Sequence, residues 1–331
     1  MRASIAVTLI TSLSPLAIAK PVPPVVDKKF DICWEKIDTI FSFGDSYSYV
    51  EGALGTKEFS WNNFTKPEGT LHDPILLNKT SANGPNWVEY LTNCFEGLPQ
   101  NCHPRPFDIA FAGADIDPWH IARHRPYTIS FVEQIDQWTN SVNPVVKWDP
   151  RTTLATFWIG INDLGDTKSW TNVSFSTFYN EIVDVYFDKV ATLYTQKIRS
   201  FAFFNLPPIE KTPENSKKNT TAIAELVQLY NIIVDEHVKA FQAKYTDANA
   251  ITIDAHAYFN SYLENEESLG FKETKTFCAN YTAPDFNTNY EDYGCHAPYE
   301  YFWLNSGHPT YPVHKLLAAS IAERLKEVSH C

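Results

Sequence analysis

The chain has 331 residues, and its 39 acidic against 27 basic side chains give a formal net charge of −12 at pH 7. So acidic a surface has little counter-charge for a phosphate backbone or an anionic bilayer, which argues against nucleic acid and membrane as partners. With 44% hydrophobic residues, the chain can bury the core of one large α/β domain.

Taken in chain order, the first element is a leader. Arg2 gives a positive start, positions 5–10 and 13–17 are mostly apolar, and Ala17-Ile18-Ala19 has the small-x-small form of a cleavage site. Residues 1–19 are therefore expected to be a secretory signal peptide, and residues 20–331 a single exported domain. The leader is too short for a membrane span, and no later run reaches the roughly 18 uninterrupted apolar residues a span needs. Cys33, Cys94, Cys102, Cys278, Cys295 and Cys331 all lie beyond it. An even number of cysteines in an oxidising compartment implies disulfides. Cys94–Cys102 and Cys278–Cys295 are the economical local loops, which leaves Cys33 to join Cys331. Metal binding is the weaker reading, because no Cys-x-x-Cys pair or His cluster has ligand spacing. Sequons at Asn63, Asn78, Asn172, Asn219 and Asn280 mark expected glycosylation sites on the surface of a secreted protein.

Short apolar runs rich in β-branched and aromatic residues occupy positions 39–43, 107–111, 153–159, 198–204 and 250–253. Helical patterns cover 131–140, 175–197, 222–245 and 312–328; in the third, Ala222, Leu226, Leu229, Ile233 and Val238 form one apolar stripe. Continuously apolar strands alternating with helices predict a parallel five-stranded sheet covered on both faces, a three-layer α/β/α sandwich. In such sheets the reactive groups gather at the carboxyl ends of the strands.

Four segments at or beyond those ends carry chemistry. They are Gly44-Asp45-Ser46, Ala112-Gly113-Ala114-Asp115, Gly160-Ile161-Asn162-Asp163 and Trp303-Leu304-Asn305-Ser306-Gly307-His308. Each has a plain structural alternative: Ser46 as a helix cap, Gly113 as a tight turn, Asn162 as an Asx-turn residue, His308 as a satisfied surface residue. Together they match acyl transfer. A serine hydroxyl needs a base to accept its proton, and the oxyanion of the tetrahedral intermediate needs fixed donors. His308 is the candidate base; the N–H groups of Ser46 and Gly113 and the Asn162 amide are the candidate oxyanion donors.

These segments resemble, in order, the signature blocks of the GDSL-type (SGNH) serine hydrolases. FSFGDSYS resembles the first block, with Ser46 as nucleophile, FDIAFAGAD the second, with Gly113, WIGINDL the third, with Asn162, and WLNSGHPT the last, with His308. The resemblance runs from about residue 38 to 320. It implies a flavodoxin-like sandwich with no metal or organic cofactor. FGDSYS, NGPNW at 83–87 and HPTYPVH look most like the fungal secreted acetyl esterases of carbohydrate esterase family sixteen. That resemblance implies a secreted enzyme, expected to be a monomer, that removes acetyl groups from acetylated plant cell-wall oligosaccharides. A lipolytic esterase on the same scaffold and a catalytically weak carbohydrate-binding relative are the alternatives.

The chain departs from the family pattern at Asn305, where the last block normally carries an aspartate three residues before the histidine. Three readings stay open: Asn305 orients His308 through its carbonyl, a nearby backbone carbonyl does so instead, or the site is crippled. The 15% aromatic content suggests platforms for sugar rings. Trp87, Trp119 and Trp158 are candidates for the cleft wall, and Trp303, two residues from Asn305, is the preferred substrate-binding residue. Asp45, Asp163, Asp254, His256 and His314 read as structural.

Overall fold

The computed structural model describes residues 32–52, 74–218 and 220–331. The leader assignment at 1–19 and the sequons at Asn63 and Asn219 lie outside the described residues. In chain order the elements are β1 (Thr39–Gly44), a small antiparallel pair β2 (Val50–Gly52) and β3 (Ile75–Thr80), α1 (Trp87–Thr92), β4 (Arg105–Asp108), α2 (Phe131–Gln137), β5 (Thr153–Trp158), α3 (Ile161–Thr167), α4 (Phe175–Thr195), β6 (Ser200–Phe204), α5 (Thr220–Lys244), β7 (Asn249–Ile253), α6 (Ala255–Glu264), α7 (Phe286–Asn289) and α8 (Tyr311–Glu327).

Five strands pair in parallel in the order β4-β1-β5-β6-β7. Counted along the chain, that is the flavodoxin-like order, with its switch point between β1 and β5. Every residue of β1 and of β5 is buried, as strands covered on both faces must be. Alternation along the strands sends Phe41, Phe43, Phe157 and Phe203 to one side, against Phe131 of α2, Tyr186 of α4 and Phe241 of α5. Ile40, Trp158 and Phe204 face the other way, against Trp87 of α1, Phe259 of α6 and Leu317 of α8. The result is a three-layer sandwich with one apolar core on each side of the sheet.

Strands β4 and β6 differ from expectation by more than one residue. The second strand of the sheet is Arg105–Asp108 rather than running to 111; past it the Asp108 carboxylate takes the Ala110 N–H at 2.9 Å, while Ile109 N–H to Ser42 O at 2.7 Å and Phe111 N–H to Gly44 O at 3.0 Å still follow β1. The fourth starts at Ser200: Lys197 is left-handed (φ 85°), and Ile198 N–H donates to Leu193 O at 3.1 Å, closing α4 first. Helices α1, α3, α6 and α7 were not foreseen.

Disulfides join Cys33 to Cys331, Cys94 to Cys102 and Cys278 to Cys295. Asn78, Asn172 and Asn280 are exposed. Among the described residues, no helix is long and apolar enough to cross a membrane.

Candidate active site

The turn that carries Ser46 is built by a glycine and a glutamine. Gly44 ends β1 with φ 153°, and a Cβ there would sit 2.2 Å from the Trp158 carbonyl oxygen of the neighbouring strand. Only glycine lets the two strands stay paired to their ends. Buried Gln134 of α2 clamps this residue, accepting the Gly44 N–H at 2.9 Å and donating to its carbonyl at 2.8 Å. The chain then makes a single turn rather than the helix expected, with Ser48 and Tyr49 N–H both donating to Asp45 O. The Asp45 carboxylate closes the turn by accepting Tyr47 N–H at 2.9 Å. Asp45, not Ser46, closes this turn, and the Ser46 hydroxyl is left for another partner.

That partner is His308, whose Nε2 lies 2.8 Å from Ser46 Oγ. Asn305 Oδ1 accepts from the backbone N–H of Gly307 at 3.0 Å and of His308 at 2.9 Å, and lies 3.0 Å from His308 Nδ1. The two backbone donors decide both the amide orientation and the tautomer. They can only face an oxygen, so His308 Nδ1 must carry the hydrogen, and Nε2 presents a lone pair to the serine hydroxyl. The Tyr47 hydroxyl donates to Gly307 O, and Glu214 N–H donates to Ser306 O at 2.9 Å, so the histidine loop is tied down from two directions. Removal from water, with no charged partner to offset it, pushes the His308 pKa down to about 4.

On the other side of Ser46, Gly113 is left-handed (φ 83°) in the loop after β4. Asn162 lies in the first turn of α3, next to Gly160, where a Cβ would sit 2.2 Å from Tyr230 Oη. Asn162 Nδ2 donates to Ala114 O at 2.9 Å, so one amide hydrogen locks it to the Gly113 loop and a second remains for another acceptor. Asp163 Oδ1 accepts Ile116 N–H at 3.0 Å and ties the same two segments together. Burial pushes the Asp45 carboxyl up to about 8, and raises Asp115 and Asp163 as well.

Ser46, Asn162 and His308 open into one cavity of about 230 Å³, whose wall includes His124, Lys168 and Glu214. Trp303, expected to face it, does not. It is fully buried in the core beneath α8, its indole N–H donated to Thr274 O at 2.9 Å. Trp87 and Trp158 are core residues too, and Trp119 is 92% exposed away from the cavity lining. A tryptophan in a strand-end segment packs inward whenever its N–H finds a carbonyl there. Asp254 caps α6 through Ala257 N–H at 3.0 Å and takes the Asn205 amide at 2.7 Å, well apart from the cavity wall. His314 is buried in α8, its pKa pushed down to about 3. Sequence reasoning missed Tyr47, His124 and Asp166. Nothing in their spacing marks them, because they come from separate segments: Tyr47 from the turn after β1, His124 from the loop before α2 and Asp166 from α3.

One curated protein and two solved structures are similar to this chain. An acetylesterase of Thermothelomyces thermophilus is 27% identical over 296 residues, 87% of this chain and 88% of the relative. Among solved structures, an acetylxylan esterase of Geobacillus stearothermophilus is 16% identical with a TM-score of 0.43, covering 90% of this chain and 96% of the other. An α/β hydrolase enzyme from the metagenome of Lake Arreo is 13% identical with a TM-score of 0.46, covering 92% and 100%. The GDSL-like lipase/acylhydrolase family model matches residues 40–321, which takes in Ser46, Gly113, Asn162 and His308, and the chain belongs to that family.

Proposed function

We propose that this protein is a secreted carboxylic ester hydrolase that removes acetyl groups from acetylated plant cell-wall oligosaccharides, with Ser46 as nucleophile, His308 as base and Asn305 as the group that orients it. The observation that carries the reading is the unbroken chain from Asn305 Oδ1 through His308 to Ser46 Oγ, at 3.0 and 2.8 Å, opening into a small cavity with a polar wall. A cavity of about 230 Å³ suits a short acyl group better than a long chain, and Lys168, Glu214 and Asn162 suit a hydroxyl-rich leaving group. Of the three readings of Asn305, this geometry favours orientation through its own carbonyl.

Ser46 Oγ attacks the acetyl carbon as its proton passes to His308 Nε2. The oxyanion is held by the N–H groups of Ser46 and Gly113 and the remaining hydrogen of Asn162 Nδ2, each donor contributing about 3 kcal/mol. Collapse breaks the ester C–O bond, and His308 returns the proton to the departing sugar oxygen. Water then attacks the acetyl-serine, with His308 again as base, and releases acetate. Asn305 keeps the correct tautomer throughout but supplies no charge to the imidazolium.

Acetate release from acetylated xylo-oligosaccharides, followed by NMR, tests this. Wild type should release acetate and Ser46→Ala should not; equal inertness of the two would overturn the enzyme reading. Octanoyl 4-nitrophenyl esters cleaved faster than acetyl esters would overturn the acyl preference while leaving the nucleophile assignment intact.

A further inference from the structure

Beside the candidate oxyanion donors lies a cluster that the acyl-transfer chemistry does not use. Asp115, two residues past Gly113, is 3% exposed, and neither of its carboxyl oxygens has a hydrogen-bond partner. One of its oxygens, one oxygen of Asp166 in α3 and one ring nitrogen of His124 lie within 4.8 Å of one another. His124 Nε2 and Asp166 Oδ2 are 2.6 Å apart and roughly one-third exposed, so the cluster is closed on the Asp115 side and open towards the cavity that His124 and Asp166 help to line. Asp45 and Asp163 stand behind it, each with one buried carboxyl oxygen also unpartnered, the other holding a backbone N–H.

A buried carboxylate left without any donor is costly, and a single imidazole does not offset this many acids. Donors that all lie within 4.8 Å of one another can close on a single ion, at about 2.0–2.3 Å from each, with small side-chain shifts. Two carboxylate oxygens and an imidazole nitrogen make a mixed O,O,N set, which suits Zn²⁺ or Mn²⁺ better than Ca²⁺ or Mg²⁺, whose ligands are oxygen.

We propose that Asp115, His124 and Asp166 form a binding site for a divalent transition-metal ion, Zn²⁺ or Mn²⁺, on the oxyanion side of the cavity. The His124 side chain already sits close to Gly113, where an added Cβ would lie 3.5 Å from the His124 Cβ and 3.6 Å from the ring's Cγ. An ion held here would pin the Gly113 loop to α3 and fix the two elements that present Gly113 and Asn162. The triad does not need the ion to be assembled, so occupancy is a property separate from the ester chemistry.

The test is direct binding to the full-length protein after EDTA treatment and dialysis. Zn²⁺ and Mn²⁺ are titrated separately by calorimetry, with thermal melting in parallel and the EPR signal of free Mn²⁺ as a count of bound ion. The expected result is one ion per chain, a rise in Tm, and affinity lowered by at least about 100-fold in Asp115→Asn and in Asp166→Asn. Asp115→Asn keeps the side-chain shape and removes a buried charge, so it should fold; Asp166→Asn, at the open side, is a second variant that does not disturb the core. No binding by either metal, or binding unchanged in both variants, would overturn the site. Ca²⁺ binding tighter than both Zn²⁺ and Mn²⁺ would overturn the role given to His124.

Discussion

Replacing Asn305 with aspartate places a charge where the structure has only a dipole. The carboxylate would lie about 3 Å from His308 Nδ1, the distance that Asn305 Oδ1 now holds. At that separation a unit charge stabilises the imidazolium by roughly 5 kcal/mol at an effective dielectric near 20. The cost of desolvating the carboxylate offsets part of this, and the net effect is an upward move of about 1–3 in the His308 pKa. In the wild type, burial holds that pKa at about 4. The neutral imidazole is the form that accepts the serine proton, so wild-type kcat/KM should stay level as the pH falls and decline only near pH 4. In Asn305→Asp the acid limb should move up by the same 1–3. In the alkaline range its kcat should rise by about tenfold or more, because the imidazolium formed during attack is now paired. Acetate release measured by NMR across the pH range reads both effects without depending on a chromophore's own titration. An acid limb that stays in place in the variant would refute the assignment of Asn305 as the ring's partner. A wild-type limb near 6.5 would refute the account of His308 as withdrawn from water.

Three further outcomes follow from other parts of the site. Asn162→Ala should lower kcat by about 10²–10³-fold with little change in KM, since the amide's remaining hydrogen is proposed to meet charge only in the transition state; steady-state kinetics on an acetyl ester checks it. Gly44→Ala should lose at least about 2 kcal/mol of stability, read as a fall in the urea midpoint, because its Cβ meets the Trp158 carbonyl at 2.2 Å and the backbone cannot relax without unpairing β1 from β5. Trp303→Phe should cost about 1–3 kcal/mol through lost packing and the orphaned Thr274 carbonyl; kcat/KM on acetylated saccharides should stay within about twofold, whereas a selective rise in KM would restore the sugar-platform reading.

The sheet was legible because its strands are short, continuously apolar and separated by long amphipathic helices, a pattern that only burial on both faces produces. The limits of legibility lay where polar side chains reshape the backbone. Strand β4 stops at Asp108, whose carboxylate takes the Ala110 N–H, where apolarity alone would extend it through Phe111. Helix α3 starts just after Gly160, a residue that reads as loop until Tyr230, 2.2 Å from where its Cβ would sit, is seen to require it. Ser46 and Asn162 could be placed from their segments, since each follows a strand whose carboxyl end the pattern locates, whereas His308 lies far past the last strand and was placed through the resemblance of its segment. The partners that hold them could not: Gln134, Tyr47 and His124 reach the site from three unrelated positions, and no spacing rule links them. Trp303 shows the converse error, where chemical plausibility near a site suggested contact and a single carbonyl in the core decided otherwise.

The Cys33–Cys331 bond spans a sequence separation of 298 and encloses both Ser46 and His308, which stand 262 positions apart. Covalently, the domain is therefore a ring with Ser46 and His308, the proposed nucleophile and base, near its two ends. A protease that cuts one exposed loop between the two cysteines opens the ring into a line but releases no fragment. The arc bearing the serine and the arc bearing the histidine remain tethered, at an effective concentration set by the tether and not by dilution. Such a nicked molecule would keep its mass until reduced, and its halves would find each other again in a first-order process, a form of damage tolerance suited to work among proteases.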